Sequence, residues 1–176
     1  MANKLGVVIP VYNTEKNDRF SYFYDTIDSI AAQDIDFNCL IVDNGSTDEE
    51  TLDFYEILQD SRFEIHKIGR LGFERTPARS LNYGFNFLYD NGTDAFCYLH
   101  SDDLLTEDSL ERRLEGLEDN DMVYGRTIFL LDGKLYYREF PLKKENANSP
   151  HVLRNGFPHH SSMWSREMMR LMLNDR

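Results

Sequence analysis

Leu5 to Val11 is an unbroken apolar run rich in β-branched residues, the pattern of a strand covered on both faces. Phe20, Phe23, Tyr24, Ile27, Ile30 and Ala31 recur at i, i+3, i+4 and i+7, which predicts a helix with one apolar face. Phe37 to Val42 predicts a second strand. Ser46 with Glu49 has the spacing of a capping box for a helix ending near Leu58. Arg62 to Ile68 predicts a third strand of weaker pattern. Thr76, with Pro77 at the first helical position, predicts a helix whose buried stripe is Leu81, Phe85 and Leu88, leaving Arg79 and Asn82 on a different face. Ala95 to Leu99 predicts a fourth strand. Leu110, Leu114 and Leu117 mark a further helix approached through Thr106, and Met122 to Tyr124 a short strand.

Strands alternating with helices predict an α/β fold, a mostly parallel central sheet flanked by helices. After Gly125 the pattern changes. Thr127 to Leu131 and Lys134 to Phe140 flank Asp132-Gly133, a pair that accepts positive φ and so signals a β-hairpin. Pro141 to Phe157 is polar and irregular and reads as a mobile loop, and Met163 to Leu173 as a strand end followed by an amphipathic helix. The expectation is a single domain over residues 1–176 with an irregular C-terminal part.

At 176 residues the chain buries enough surface to hold a core without disulfides or a structural metal. Its formal net charge of −12 argues against a nucleic acid as partner, because phosphate backbones are bound through basic stripes. An anionic ligand held locally with a metal ion stays open. Cys39 and Cys97 lie in apolar runs and read as small buried hydrophobes, which favours a reducing compartment. No apolar stretch approaches the ~20 residues that span a bilayer. The N-terminal apolar run is closed by polar residues too soon for a secretory leader. The expected location is therefore cytoplasmic.

In open α/β sheets, ligands bind beyond the carboxyl ends of the strands. Those ends carry Tyr12-Asn13, Asp43-Asn44-Gly45-Ser46 and His100-Ser101-Asp102-Asp103. The first turn lacks G-x-G-x-x-G, and G-x-x-x-x-G-K-[ST] is absent, which removes dinucleotide-binding and P-loop enzymes. The G-x-x-G at Gly69 to Gly72 reads as a turn, since an RNA clamp fits neither the charge nor the order of elements. Receiver domains need an acidic pair where Tyr12-Asn13 stands, and nucleotidyltransferases a glycine-rich, arginine-containing loop there.

Gly6-Val7-Val8-Ile9-Pro10-Val11-Tyr12-Asn13 resembles the opening of the inverting glycosyltransferases of family 2, which have the GT-A fold. Asp28-Ser29-Ile30 with Gln33 resembles that family's first helix end, and Leu40 to Asp48 its second strand and acidic loop. Ala78-Arg79 with Asn82 and Gly84, Tyr98 to Asp103, and His159-His160-Ser161-Ser162-Met163 resemble its later motifs. The matches run in order from residue 6 to about 167. The resemblance implies a GT-A-like domain in which residues 1–125 bind a nucleotide-sugar and residues 126–176 form the acceptor side, incomplete at the C-terminus.

The activity implied is transfer of a sugar from a nucleotide diphosphate donor, UDP-linked by expectation, to the hydroxyl of a glycan or other acceptor with inversion. Pro10, Tyr12, Asn13 and Asp43 would line the base pocket, where a carboxylate suits an imide N–H and an aromatic ring offers a stacking face. A capping role for Asp43 is the alternative. Arg79 would meet phosphate oxygens, unless it is a solvated helix arginine. Asp102 and Asp103 would hold Mn2+ or Mg2+ and the ribose, in an order the sequence leaves open, with His160 as a further metal ligand or a plain loop residue. His100 stands where the family often has its first aspartate. Trp164 and Tyr136-Tyr137 are candidate stacking surfaces for an acceptor sugar.

Inverting transfer needs a general base, and the family's usual acidic pair downstream of the H-S-S segment has no counterpart here. Glu145 and Glu167 are available without being singled out, so the catalytic base is unassigned. Two other readings follow: a nucleotide-sugar-binding module lacking its own base, and a nucleotidyltransferase, opposed by its missing loop.

Overall fold

The apolar run at the N-terminus becomes the buried centre of the sheet. The computed structural model describes residues 4–14, 20–69, 77–125, 127–131, 134–138 and 162–174. In chain order the elements are β1 (Leu5–Val11), α1 (Phe20–Ala31), β2 (Phe37–Asp43), α2 (Glu49–Ile57), β3 (Phe63–Lys67), α3 (Ala78–Asp90), β4 (Ala95–Tyr98), α4 (Ser109–Gly116), β5 (Met122–Tyr124), β6 (Thr127–Leu131), β7 (Lys134–Arg138), β8 (Ser162–Ser165) and α5 (Arg166–Asn174). Six strands form one sheet in the order β3-β2-β1-β4-β8-β5. β1 pairs in parallel with β2 and β4, and β2 with β3, while β8 runs antiparallel to both β4 and β5. The sheet is mixed α/β and mainly parallel, as the pattern predicts.

The two-residue period of the strands builds a core on each face. Leu5, Val7, Ile9 and Val11 with Cys39, Ile41 and Cys97 pack against Phe23, Ile27 and Ile30 of α1, Phe54 and Tyr55 of α2, and Leu110 of α4. Val8, Leu40, Val42, Phe96 and Tyr98 point the other way, onto Leu88 of α3 and Met169 of α5. Gly84 lets α3 approach closely: a Cβ there would lie 2.6 Å from Val8 Cγ1. Cys39 and Cys97 are both in register with Val7, on opposite sides of β1. Two strand spacings set their backbones about 9–10 Å apart, beyond the span of a disulfide, and both are buried and free, as expected.

Several local expectations change. Asp48, not Ser46, caps α2, its carboxylate accepting from Thr51 N–H at 3.0 Å. Ser46 is drawn away because its hydroxyl bonds Asp43 instead. Pro77 takes the cap position of α3 rather than its first turn, and Thr76 lies outside the described residues. The buried stripe of α3 centres on Ser80, Gly84 and Leu88, with Leu81 and Phe85 on its flank. α4 begins at Ser109 behind a left-handed Asp108 rather than at Thr106. The hairpin forms as expected, Leu131 pairing with Lys134 around a two-residue connection. The expected loop from Pro141 to Phe157 lies outside the described residues.

Candidate functional site

β1 lies between β2 and β4, so the chain's crossings diverge on its two sides, the switch point where α/β sheets open a crevice. Pro10 marks where it opens. Leu99 N–H donates to Val8 O at 3.0 Å, so the polar groups of Val8, and of Pro10 two residues on, face β4. The β1–β4 ladder ends at Val8 opposite Tyr98. Proline's missing N–H therefore falls where β4 has already left, and a central strand accommodates it without losing a bond.

On the β2 side a lock of short bonds joins the first two loops. Asn13 is left-handed at φ 44°, a conformation Asn tolerates better than most residues. Its N–H donates to Ser46 Oγ at 2.9 Å, and its side-chain oxygen accepts from Thr47 N–H at 2.7 Å. Asp43 Oδ1 accepts from Ser46 N–H at 2.9 Å and Ser46 Oγ at 2.7 Å, a return made possible by Gly45 at φ 82°. These contacts use one carboxylate oxygen and leave Oδ2 as the other. Beneath them Thr14 and Thr51 share a 2.7 Å hydrogen bond between hydroxyls. Burial, and secondly the Asp43 charge, push the Tyr55 phenol well above its ordinary value, so this phenol is neutral and the charges beside it are those of Asp43 and the buried Asp48.

Tyr12 follows Pro10 with its ring partly exposed. Arg79, at the start of α3, donates to Asn44 Oδ1 at 3.3 Å, to Gly69 O at 2.5 Å and to Ile68 O at 3.3 Å. It ties α3 to the loops after β2 and β3, which is not the behaviour of a solvated helix arginine. Pro10, Tyr12, Asn13, Asp43 and Arg79 are thus gathered at one end of β1 and β2.

Asp102 and Asp103 stand across the crevice at the end of β4, about two strand spacings, or 9–10 Å, from the β2 end. Asp103 N–H closes a turn onto His100 O at 3.2 Å. Below the turn Tyr98 stacks on Trp164, rings 6.0 Å apart and 8° from parallel, with His100 edge-on at 5.5 Å. Burial, with the Asp103 charge second, pushes the Tyr98 phenol up to about 12. Trp164 is therefore core, not a surface platform, because β8 carries it onto the face covered by α3 and α5. Among the described residues no three His, Cys, Asp or Glu side chains gather as a metal cage. Two adjacent carboxylates still fit a hard cation whose remaining ligands are substrate phosphates and water. His160 and Glu145 lie outside the described residues. Glu167 is exposed and bound to Arg170 at 2.6 Å, which holds its carboxyl below the ordinary range.

Sequence reasoning missed the residues that hold these loops: Ser46 as the link between Asn13 and Asp43, Thr51 beneath it, and Ser29 and Gln33 of the first helix end. Ser29 and Gln33 stood out as part of a motif, but a motif does not say which distant backbone a side chain meets.

The arrangement matches known proteins in sequence and in shape. Residues 6–170 match the model of "Glycosyl transferase family 2". An uncharacterized glycosyltransferase of Rickettsia felis is 30% identical over 128 residues, covering 72% of this chain and 19% of the relative, and one of Rickettsia bellii is 27% identical over 129 residues. The chain thus spans about a fifth of the length of these curated relatives. Among solved structures, Staphylococcus aureus TarS 1-349 in complex with UDP-GlcNAc superposes with a TM-score of 0.68 at 19% identity, over 96% of this chain and 47% of that one. The mannosyltransferase PcManGT of Pyrobaculum calidifontis, in complex with GDP-Man and Mn2+, gives 0.60 at 18% identity, over 96% and 46%. At such identities the structures establish the shared GT-A fold, and the family match over nearly the whole chain establishes the rest: this chain belongs to glycosyl transferase family 2.

Proposed function

We propose that this domain binds a UDP-sugar in the crevice between the β2 and β4 ends and transfers the sugar to an acceptor hydroxyl with inversion. The observation that carries the reading is the pairing of two acidic loops across the point where β1 and β4 part. Asp43, its Oδ1 fixed by Ser46, offers Oδ2 to the imide N–H of uracil, and the exposed Tyr12 ring flanks the base. Arg79 holds the loops that Asn44 and Gly69 belong to and orients its guanidinium beside the nucleotide. Asp102 and Asp103 would hold Mn2+ or Mg2+, which supplies charge stabilisation for the departing diphosphate. Residues 126–176 would contribute the acceptor side. The base that deprotonates the acceptor is not assigned: Glu145 lies outside the described residues, and Glu167 is exposed and engaged by Arg170.

Calorimetry with UDP, GDP and CDP in the presence of Mn2+ tests the base pocket. Guanine also presents a ring N–H, whereas cytosine offers none at the corresponding position. UDP should bind at least tenfold more tightly than CDP and more tightly than GDP. Asp43→Ala should cost about 1.5–3 kcal/mol of UDP affinity, the range for a hydrogen bond to a charged group. Equal binding of all three nucleotides would overturn the reading.

A further inference from the structure

The loop that carries Asp102 and Asp103 runs on into α4, and its second half packs Leu105 and Leu110 on the core beneath α1. From Leu104 to Leu110 every hydrogen bond that the described backbone makes to another element goes to one of two side chains at the end of α1. Ser29 Oγ accepts from Leu105 N–H at 3.1 Å. Gln33 Nε2 donates to Thr106 O at 3.0 Å, and Gln33 Oε1 accepts from Leu110 N–H at 3.0 Å. Its second amide hydrogen reaches Ser29 O at 3.1 Å. The orientation of this amide is determined, because its nitrogen faces two carbonyls and its oxygen faces an N–H. Gln33 is buried, 5% exposed, so water does not substitute for these partners.

Between the two backbone groups that Gln33 grips lies Asp108, at φ 56°. A left-handed residue with a Cβ persists where its surroundings over-determine it. The clamp is also cross-braced, since Ser29 Oγ donates to Thr26 O at 2.8 Å while holding Leu105.

We propose that Gln33, supported by Ser29, is a positioning residue for the Asp102–Asp103 carboxylates: it pre-orders their loop against α1 so that a divalent cation and a diphosphate meet a formed site. This rests on the metal-binding role proposed above for that loop. Gln33 touches neither ligand. Its effect is to remove the ordering cost that a loose loop would impose at every binding event. The β1 and β2 loops carry the base pocket and are held by the separate Asn13–Ser46–Asp43 lock, so base recognition should be indifferent to Gln33.

The test compares wild type with Gln33→Met, which keeps the volume and removes all three amide hydrogen bonds, and with Ser29→Ala. Mn2+ binding is read by electron paramagnetic resonance at saturating UDP, uridine binding without metal by NMR, and exchange of the Leu105 and Leu110 amides by hydrogen–deuterium exchange. In Gln33→Met the Mn2+ dissociation constant should rise about tenfold and both amides should exchange faster, with uridine affinity unchanged. Ser29→Ala should weaken Mn2+ about threefold, and it decides the matter if Gln33→Met does not fold. Unchanged Mn2+ affinity in a folded variant overturns the inference alone. Parallel loss of uridine and Mn2+ binding also overturns it, as general destabilisation. Absence of UDP-dependent Mn2+ binding in the wild type removes the proposed metal role together with this inference.

Discussion

Gly84→Ala tests whether the approach of α3 to the sheet sets the site. An ideal Cβ at residue 84 lies 2.6 Å from Val8 Cγ1, 3.0 Å from Val8 Cγ2 and 3.3 Å from Val42 Cγ2. Carbon atoms pack best at about 3.5–4.0 Å, so α3 must rise by roughly 1 Å or Val8 must turn. Val8 is fully buried and β-branched, which leaves it little room to turn. Overpacking of this kind costs about 1–3 kcal/mol, and alanine returns about 1 kcal/mol through helix propensity. The 2.6 Å approach to a fully buried neighbour puts the overpacking cost in the upper part of that range, about 2–3 kcal/mol. A net loss of about 1–2 kcal/mol follows, which for a chain of this length lowers the melting temperature by about 2–8 °C. Lifting α3 also draws Arg79 from Asn44 and Gly69, so UDP affinity should fall with stability. Urea denaturation provides the free energy and calorimetry the affinity. Val8→Ala alone should cost roughly 2–3 kcal/mol through the cavity it leaves, and the double variant should cost less than the sum, because removing the Val8 methyls makes room for the new one. A Gly84→Ala protein as stable as its parent, or a strictly additive double variant, would refute the close-packing argument.

Arg79→Lys should weaken UDP binding about tenfold with a smaller effect on melting, because an ammonium cannot bridge Asn44, Gly69 and Ile68 as the guanidinium fork does; an unchanged affinity would count against its role. Burial pushes the Cys97 thiol up to about 11 from an ordinary 9.0, and raises Cys39 as well. Both should resist a thiol reagent at pH 8 until the protein unfolds. Since the unfolded chain gives up the Cys97 proton first, that residue's contribution to stability should be full below pH 9 and be lost as pH rises toward 11, a slope that Cys97→Ala should reduce and that the double change with Cys39→Ala should reduce further.

The parallel strands and their helices were readable because each depends on a short-range pattern: an apolar run for β1, a 3.6-residue stripe for α1. The place of β8 was not. Nothing local to Ser162–Ser165 says that this strand runs antiparallel between β4 and β5, a pairing across more than sixty residues of chain from β4. The same limit explains the caps. Ser46 and Glu49 have capping-box spacing, yet Ser46 turns to Asp43 and Asn13, a choice made by the neighbouring strand. The acidic and polar strand ends were visible as residue types, and Asp43, Arg79, Asp102 and Asp103 do stand at one end of the sheet. The clamp by Gln33 was invisible because the two loop groups that it holds, Thr106 O and Leu110 N–H, lie more than seventy residues away.

The role proposed for Asp102 and Asp103 is to bring a divalent cation to a diphosphate at the open end of β1. Its most direct test is calorimetric titration of UDP with Mn2+ and with EDTA, repeated for Asp102→Asn and Asp103→Asn. Diphosphate and carboxylates repel one another unless a cation stands between them, so UDP affinity should fall at least tenfold in EDTA. Each variant should lose most of the Mn2+ enhancement while melting, without ligand, at the wild-type temperature. UDP binding of equal strength with Mn2+ and with EDTA, or variants that keep the full enhancement, would contradict it.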